Sequence, residues 1–71
     1  PYRNAKLTER ELAVVRQVAQ GRTYKEIARV LEIGEKTVAT YRERAAEKLG
    51  IKSRAELVRW ALEHHLLETS A

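Results

Sequence analysis

Apolar residues recur three and four positions apart in four separate stretches, and no stretch alternates as a half-buried strand would. The first stripe is Leu12, Val15, Val18 and Ala19. The second is Ile27, Ala28 and Leu31, with Ile33 closing the turn behind it. The third is Val38, Ala45 and Leu49, with Ala45 and Leu49 each about 20° from Val38 on a helical wheel and Tyr41 beside them. The fourth is Leu57, Val58, Ala61 and Leu62, with Leu66 one turn on. Three starts carry a hydroxyl followed three residues later by a carboxylate: Thr8 with Glu11, Thr23 with Glu26, and Ser53 with Glu56. In that arrangement each side chain can satisfy an amide at the other's position. The fourth start, at Gly34, has no side-chain acceptor. Gly21 and Gly50 follow apolar runs and are placed to close helices in the left-handed conformation. The pattern predicts an all-α fold with helices over about 9–20, 24–31, 35–49 and 54–66.

Only Glu32, Ile33 and Gly34 separate the second helix from the third. So short a connection, holding a glycine and an apolar residue, forces a sharp angle and gives a helix-turn-helix. In that motif the first helix lies across the DNA backbone and the second enters the major groove by its N-terminal half. The third helix suits the role. Its inward stripe is small, and its outward face carries Lys36, Thr40, Glu43, Arg44 and Glu47. Lysine and arginine donate to guanine or phosphate, threonine serves either way, and glutamate accepts from cytosine. Thr37 stands where a hydroxyl reaches phosphate, and the helix N-terminus offers unpaired amides to the same oxygens. The same wheel also describes an ordinary exposed amphipathic helix, and Glu43 and Glu47 oppose phosphates electrostatically.

At 71 residues the chain holds one domain with a thin core and no room for a walled substrate pocket, which argues against an enzyme. Residues 1–6 read as a linker remnant, 7–67 as the helix-turn-helix domain with Leu7 stapled onto its first helix, and 68–71 as a frayed tail. The chain opens at Pro1 and contains no methionine, as expected of a domain from a longer or processed protein. Absence of cysteine excludes disulfides and thiolate zinc sites, and no apolar run reaches membrane-spanning length. Cytoplasmic residence is the expectation. His64 and His65 point about 100° apart, so one ion cannot take both from one helix face. Neither a metal nor a cofactor is expected. Glu9 and Glu11 sit where capping explains them, and Tyr2 and Tyr24 read as packing or surface residues. The net charge of +4 is modest, but residues 21–54 carry nine Lys or Arg against five Glu, while residues 55–71 carry one Arg against three Glu.

Taken in order, Leu7-Thr8-Glu9-Arg10-Glu11-Leu12, Gly21, Lys25-Glu26-Ile27-Ala28, Glu35-Lys36-Thr37-Val38, Lys48-Leu49-Gly50-Ile51 and Ser53-Arg54-Ala55-Glu56-Leu57-Val58 resemble the LuxR/FixJ/NarL-type helix-turn-helix domain over residues 7 to about 66. The resemblance implies a four-helix output domain of a bacterial transcription regulator, working in a two-component or ligand-sensing system on double-stranded DNA. An upstream receiver or ligand-sensing domain and RNA polymerase are the further partners it implies. It places Lys36, Ala39, Thr40 and Glu43, with Arg44, toward bases. Lys25, Thr37 and Lys48, with Thr23, Tyr41 and Arg42, fall toward the DNA backbone. The fourth helix is implied to pair two DNA-bound copies through Trp60, Leu57 and His64, although Trp60 also fits as a lid on a thin core. The sequence departs from the common pattern where Ala39 and Glu43 stand at frequently basic positions. Tyr41 replaces a frequent histidine, Arg44 a frequent asparagine, and Gly34 a frequent capping serine. Arg42 and Arg44 are expected to compensate for the missing basic residue at position 39.

Two other readings fit parts of the chain. Residues 23–49 resemble region 4 of a sigma factor, notably in Arg44-Ala45 and Lys48-Leu49, but the fourth helix opening at Ser53 favours the LuxR type. A helical protein-interaction module without DNA binding would account for Glu43 and Glu47.

Overall fold

In the computed structural model, which describes residues 7–67, the chain folds as α1 (Glu9–Ala19), α2 (Tyr24–Leu31), α3 (Glu35–Leu49) and α4 (Arg54–Glu63), with no strand among the described residues. The expected linker remnant at 1–6 and frayed tail at 68–71 lie outside the described residues. The helix starts follow their side chains. Thr8 and Thr23 each accept from the amide three residues on, and Glu11 and Glu26 each return a bond to the cap amide. The third box forms only by half. Ser53 Oγ accepts from the Glu56 amide, but Glu56 Oε1 takes the amide of Lys52, one residue before the cap.

All four helices close the same way. A residue with positive φ (Gly21, Glu32, Gly50 or His65) is followed by an amide that reaches back five residues. Those bonds run from Arg22 to Gln17, Ile33 to Ala28, Ile51 to Ala46 and Leu66 to Ala61. This six-to-one bond satisfies a carbonyl the helix end would otherwise leave open. The bend between α2 and α3 turns at Glu32 (φ 58°), and Gly34 is extended and begins α3, as its place in the sequence predicted. One expectation is corrected. The fourth helix stops at Glu63, not Leu66, because His65 (φ 60°) turns the chain. Leu66 then folds back onto the core as the residue after the turn, as Ile33 and Ile51 do.

α1 is the hub: it packs against α3, α4 and α2, and α2 packs against α3. The core is Val14, Val15, Val18, Ile27, Ala28, Val38, Ala45 and Leu57, with Leu7, Tyr24, Leu31, Ile33, Tyr41, Ile51, Trp60 and Leu66 around it. Val14 belongs to the stripe of α1, where the spacing pattern gave Leu12, which is only half-buried. Leu62, expected inside, is exposed. Burying an aliphatic side chain as large as Ile27 or Leu57 contributes about 1.5–3 kcal/mol each, so a core this thin rests on few residues. No described helix is long and apolar enough to cross a membrane.

Candidate nucleic-acid interface

α3 is held by one face and open on the other. Val38, Ala45 and Leu49 are buried, and Ala45 lets the helix lie close to α1. On the opposite side Lys36, Thr40, Glu43 and Glu47 are all exposed, spaced four, three and four residues apart. At about 100° and 1.5 Å per residue they form a single stripe some 16 Å long directly away from the core. Arg44 and Thr37 are exposed on one shoulder of that stripe, and half-buried Ala39 lies on the other. The five residues expected to face bases thus occupy one continuous surface.

The residues expected at the DNA backbone are more scattered. Lys25 and Thr23 are exposed at the start of α2, and Thr37 is exposed in the first turn of α3. Thr23 Oγ1 accepts the Glu26 amide, which leaves its proton for an outside acceptor such as a phosphate oxygen. Tyr41 and Arg42 are half-buried, with Tyr41 against the core, so each extends only part of its length from the helix flank. At Gly34 no side chain caps α3, and the amides of its first turn have no side-chain acceptor.

Lys48 has a structural partner that the sequence did not announce. Its Nζ donates to Glu11 Oε1 at 2.7 Å, and the Glu11 side chain is almost wholly enclosed. Burial pushes the Glu11 carboxyl up. The bond from Lys48, the Thr8 amide and the nearby ammonium charge outweigh it and hold the carboxyl below its ordinary value. Glu11 therefore does more than cap α1. A second unforeseen link comes from Arg54, which donates from Nη2 to the Val18 carbonyl at the end of α1. Both cross-links depend on tertiary neighbours far away in sequence, which local spacing cannot show.

On α4, Trp60 is half-buried against the core, and its indole stacks on the His64 ring with centroids 4.3 Å apart. His64 Nδ1 lies 2.9 Å from the Trp60 carbonyl. Leu57, expected at a pairing surface, is completely enclosed by the core and has no surface to offer a second copy. Leu62 is the large apolar residue that this helix exposes instead.

Residues 5–61 match the family described as bacterial regulatory proteins, luxR family. Among similar proteins are the oxygen regulatory protein NreC of Staphylococcus aureus strain JH9 and that of strain NCTC 8325, each 44% identical over 62 residues. Those residues are 87% of this chain and 29% of each relative, so the chain spans less than a third of the proteins it matches. Both the helix-turn-helix with its open third helix and the match over most of its length lead to one assignment: the chain belongs to the luxR family of bacterial regulatory proteins.

Proposed function

We propose that this chain binds double-stranded DNA as the output domain of a bacterial transcription regulator, with α3 in the major groove. The observation that carries the reading is the exposed stripe of Lys36, Thr40, Glu43 and Glu47, backed by the buried face of Val38, Ala45 and Leu49 that anchors α3 to the core. A rigid helix loses little freedom on docking, which matters for an interface built from a few base contacts. Lys36, Thr40 and Glu43, with Ala39 and Arg44 on the shoulders of the stripe, face bases, while Thr23 and Lys25 on the neighbouring α2 and Thr37 and Arg42 on α3 serve phosphates. The relatives are about three times as long, which supports an upstream receiver or ligand-sensing domain in the full protein. Two copies pairing through α4 on adjacent half-sites, contact with RNA polymerase, and residence in the cytoplasm with the DNA belong to the same reading.

Titrating labelled duplexes with the protein at several salt concentrations tests it. Neutralising about four phosphates predicts roughly a hundredfold loss of affinity between 50 and 200 mM salt. Indifference to duplex DNA at low salt removes the proposal and leaves a protein-interaction role, which Glu43 and Glu47 would then serve.

A further inference from the structure

Beyond Lys36, the outward stripe of α3 is poor in hydrogen-bond donors. Thr40 Oγ1 donates its only proton to the Lys36 carbonyl at 3.0 Å, so the hydroxyl presents lone pairs and a methyl group to the outside. Glu43, one turn further on, is exposed and enters no salt bridge among the described residues. A carboxylate accepts and cannot donate. Ala39, one turn before Glu43 on the same ridge, adds only a methyl, and Glu47, one turn after, adds a second carboxylate. Cations stand at the edges of this patch, Lys36 at its N-terminal end and Arg44 on its shoulder.

We infer that Ala39, Thr40 and Glu43 form an acceptor-and-methyl patch that selects bases carrying a major-groove amino group or a methyl, cytosine foremost, and turns guanine away. The inference rests on the groove-binding reading above and specifies what that groove must contain. In the major groove cytosine offers its N4 amino donor, adenine its N6 amino donor and thymine its methyl, whereas guanine shows two acceptors, N7 and O6. Guanine opposite Glu43 and Thr40 sets acceptor against acceptor and leaves each without a partner after water has gone. Glu43 then takes the N4 amino group of cytosine. Thr40 sits beside a base pair that offers adenine N6 or the thymine methyl. A carboxylate among phosphates is costly to non-specific binding, which sharpens the contrast between right and wrong sequences.

Selection of bound duplexes from a random pool, run in parallel with the unchanged chain and with Glu43→Gln and Thr40→Val, tests the inference. Both positions are exposed, so the variants should fold, and thermal melts of each check this. The unchanged chain should enrich cytosine at one position of each half-site, with guanine there costing about tenfold or more in affinity. Glutamine keeps an acceptor and adds a donor, so Glu43→Gln should move that position toward adenine. Valine keeps the methyl without the lone pairs, so Thr40→Val should retain thymine and lose selection for amino-bearing bases at its own position. Pools from Glu43→Gln and Thr40→Val that match the unchanged chain's pool overturn the inference while leaving groove binding intact. So does guanine as the selected base at the position Glu43 controls. Failure of the unchanged chain to retain any duplex at low salt overturns the groove-binding reading as well, so the two failures are told apart.

Discussion

Lys48 Nζ and Thr8 N both donate to one carboxylate oxygen, Glu11 Oε1, at 2.7 and 2.9 Å. That oxygen joins the last turn of α3 to the first turn of α1. Removing Glu11 breaks a helix cap, worth about 1 kcal/mol, and a charge-assisted bond, so Glu11→Ala should cost about 2–3 kcal/mol. Lys48 is partly open to solvent, and Lys48→Met should cost less, about 1–2 kcal/mol, from the enclosed carboxylate it strands. Urea unfolding of both single variants and the double variant measures the coupling. A cycle energy near zero would show that the two residues act separately.

The same pair sets an acid limit. The folded Glu11 carboxyl lies below its ordinary value of 4.5, so it binds its proton less readily than the unfolded chain does. Protonation therefore favours unfolding. The contribution is complete above the ordinary carboxylate range and is lost as the pH falls through the lower folded value. Below about pH 4.5 the stability of Glu11→Gln should fall less steeply than that of the unchanged chain. Parallel acid slopes would assign the acid sensitivity to other carboxylates.

Glu32 holds a left-handed conformation that costs a residue with a Cβ about 1–2 kcal/mol, whereas glycine adopts it freely. Glu32→Gly, after the entropy that glycine adds to the unfolded chain, should raise stability by about 0.5–1 kcal/mol. Gly50→Ala is the converse: nothing lies near the added methyl, so its cost of about 1 kcal/mol comes from φ alone. Thermal melts of the two variants should move in opposite directions.

Those turns also mark what the chain revealed before folding. Helix starts were legible because Thr8, Thr23 and Ser53 act on amides within three residues. The ends at Gly21 and Gly50 were legible because glycine advertises a positive φ. Glu32 and His65 perform the same closure without that signal, so α4 read three residues too long. The trace they did leave is the apolar residue just after each turn, Ile33 and Leu66, folded back on the core. The candidate interface was largely legible, since one exposed helix face follows from period alone. The resemblance placed Lys48 at the DNA backbone, and its bond to Glu11 was not legible because that partner lies 37 positions away. Leu57 was assigned to pairing because its enclosure depends on how α4 packs against α1.

α4 carries one leucine that is sealed in the core and one that is open to contact. Leu57 is fully enclosed, so Leu57→Ala should cost about 2–5 kcal/mol, a large share of what an 8.2 kDa domain possesses. Leu62 is 42% exposed, and Leu62→Glu should leave the melting temperature within a few degrees of the unchanged chain. If two copies pair through α4, Leu62→Glu should abolish cooperative binding to a double half-site while sparing affinity for a single one. Gel-shift titrations on one-site and two-site duplexes make the comparison. Undiminished cooperativity in Leu62→Glu would move the pairing surface off this helix.

Phosphate and base contacts should part company under salt. Lys25 lies at the start of α2, away from the stripe on α3, and is assigned to the backbone. Lys25→Ala should weaken all duplexes alike and reduce the slope of log affinity against log salt by about 1. Arg44 stands at the shoulder of the stripe. Arg44→Ala should instead cost about 1–3 kcal/mol on the selected sequence and much less on unrelated DNA. Equal losses on both sequences would place Arg44 among the phosphate contacts. The patch of Ala39, Thr40 and Glu43 would then carry sequence discrimination with Lys36 alone, and the replacement of a basic residue by Ala39 would stand without compensation from Arg44.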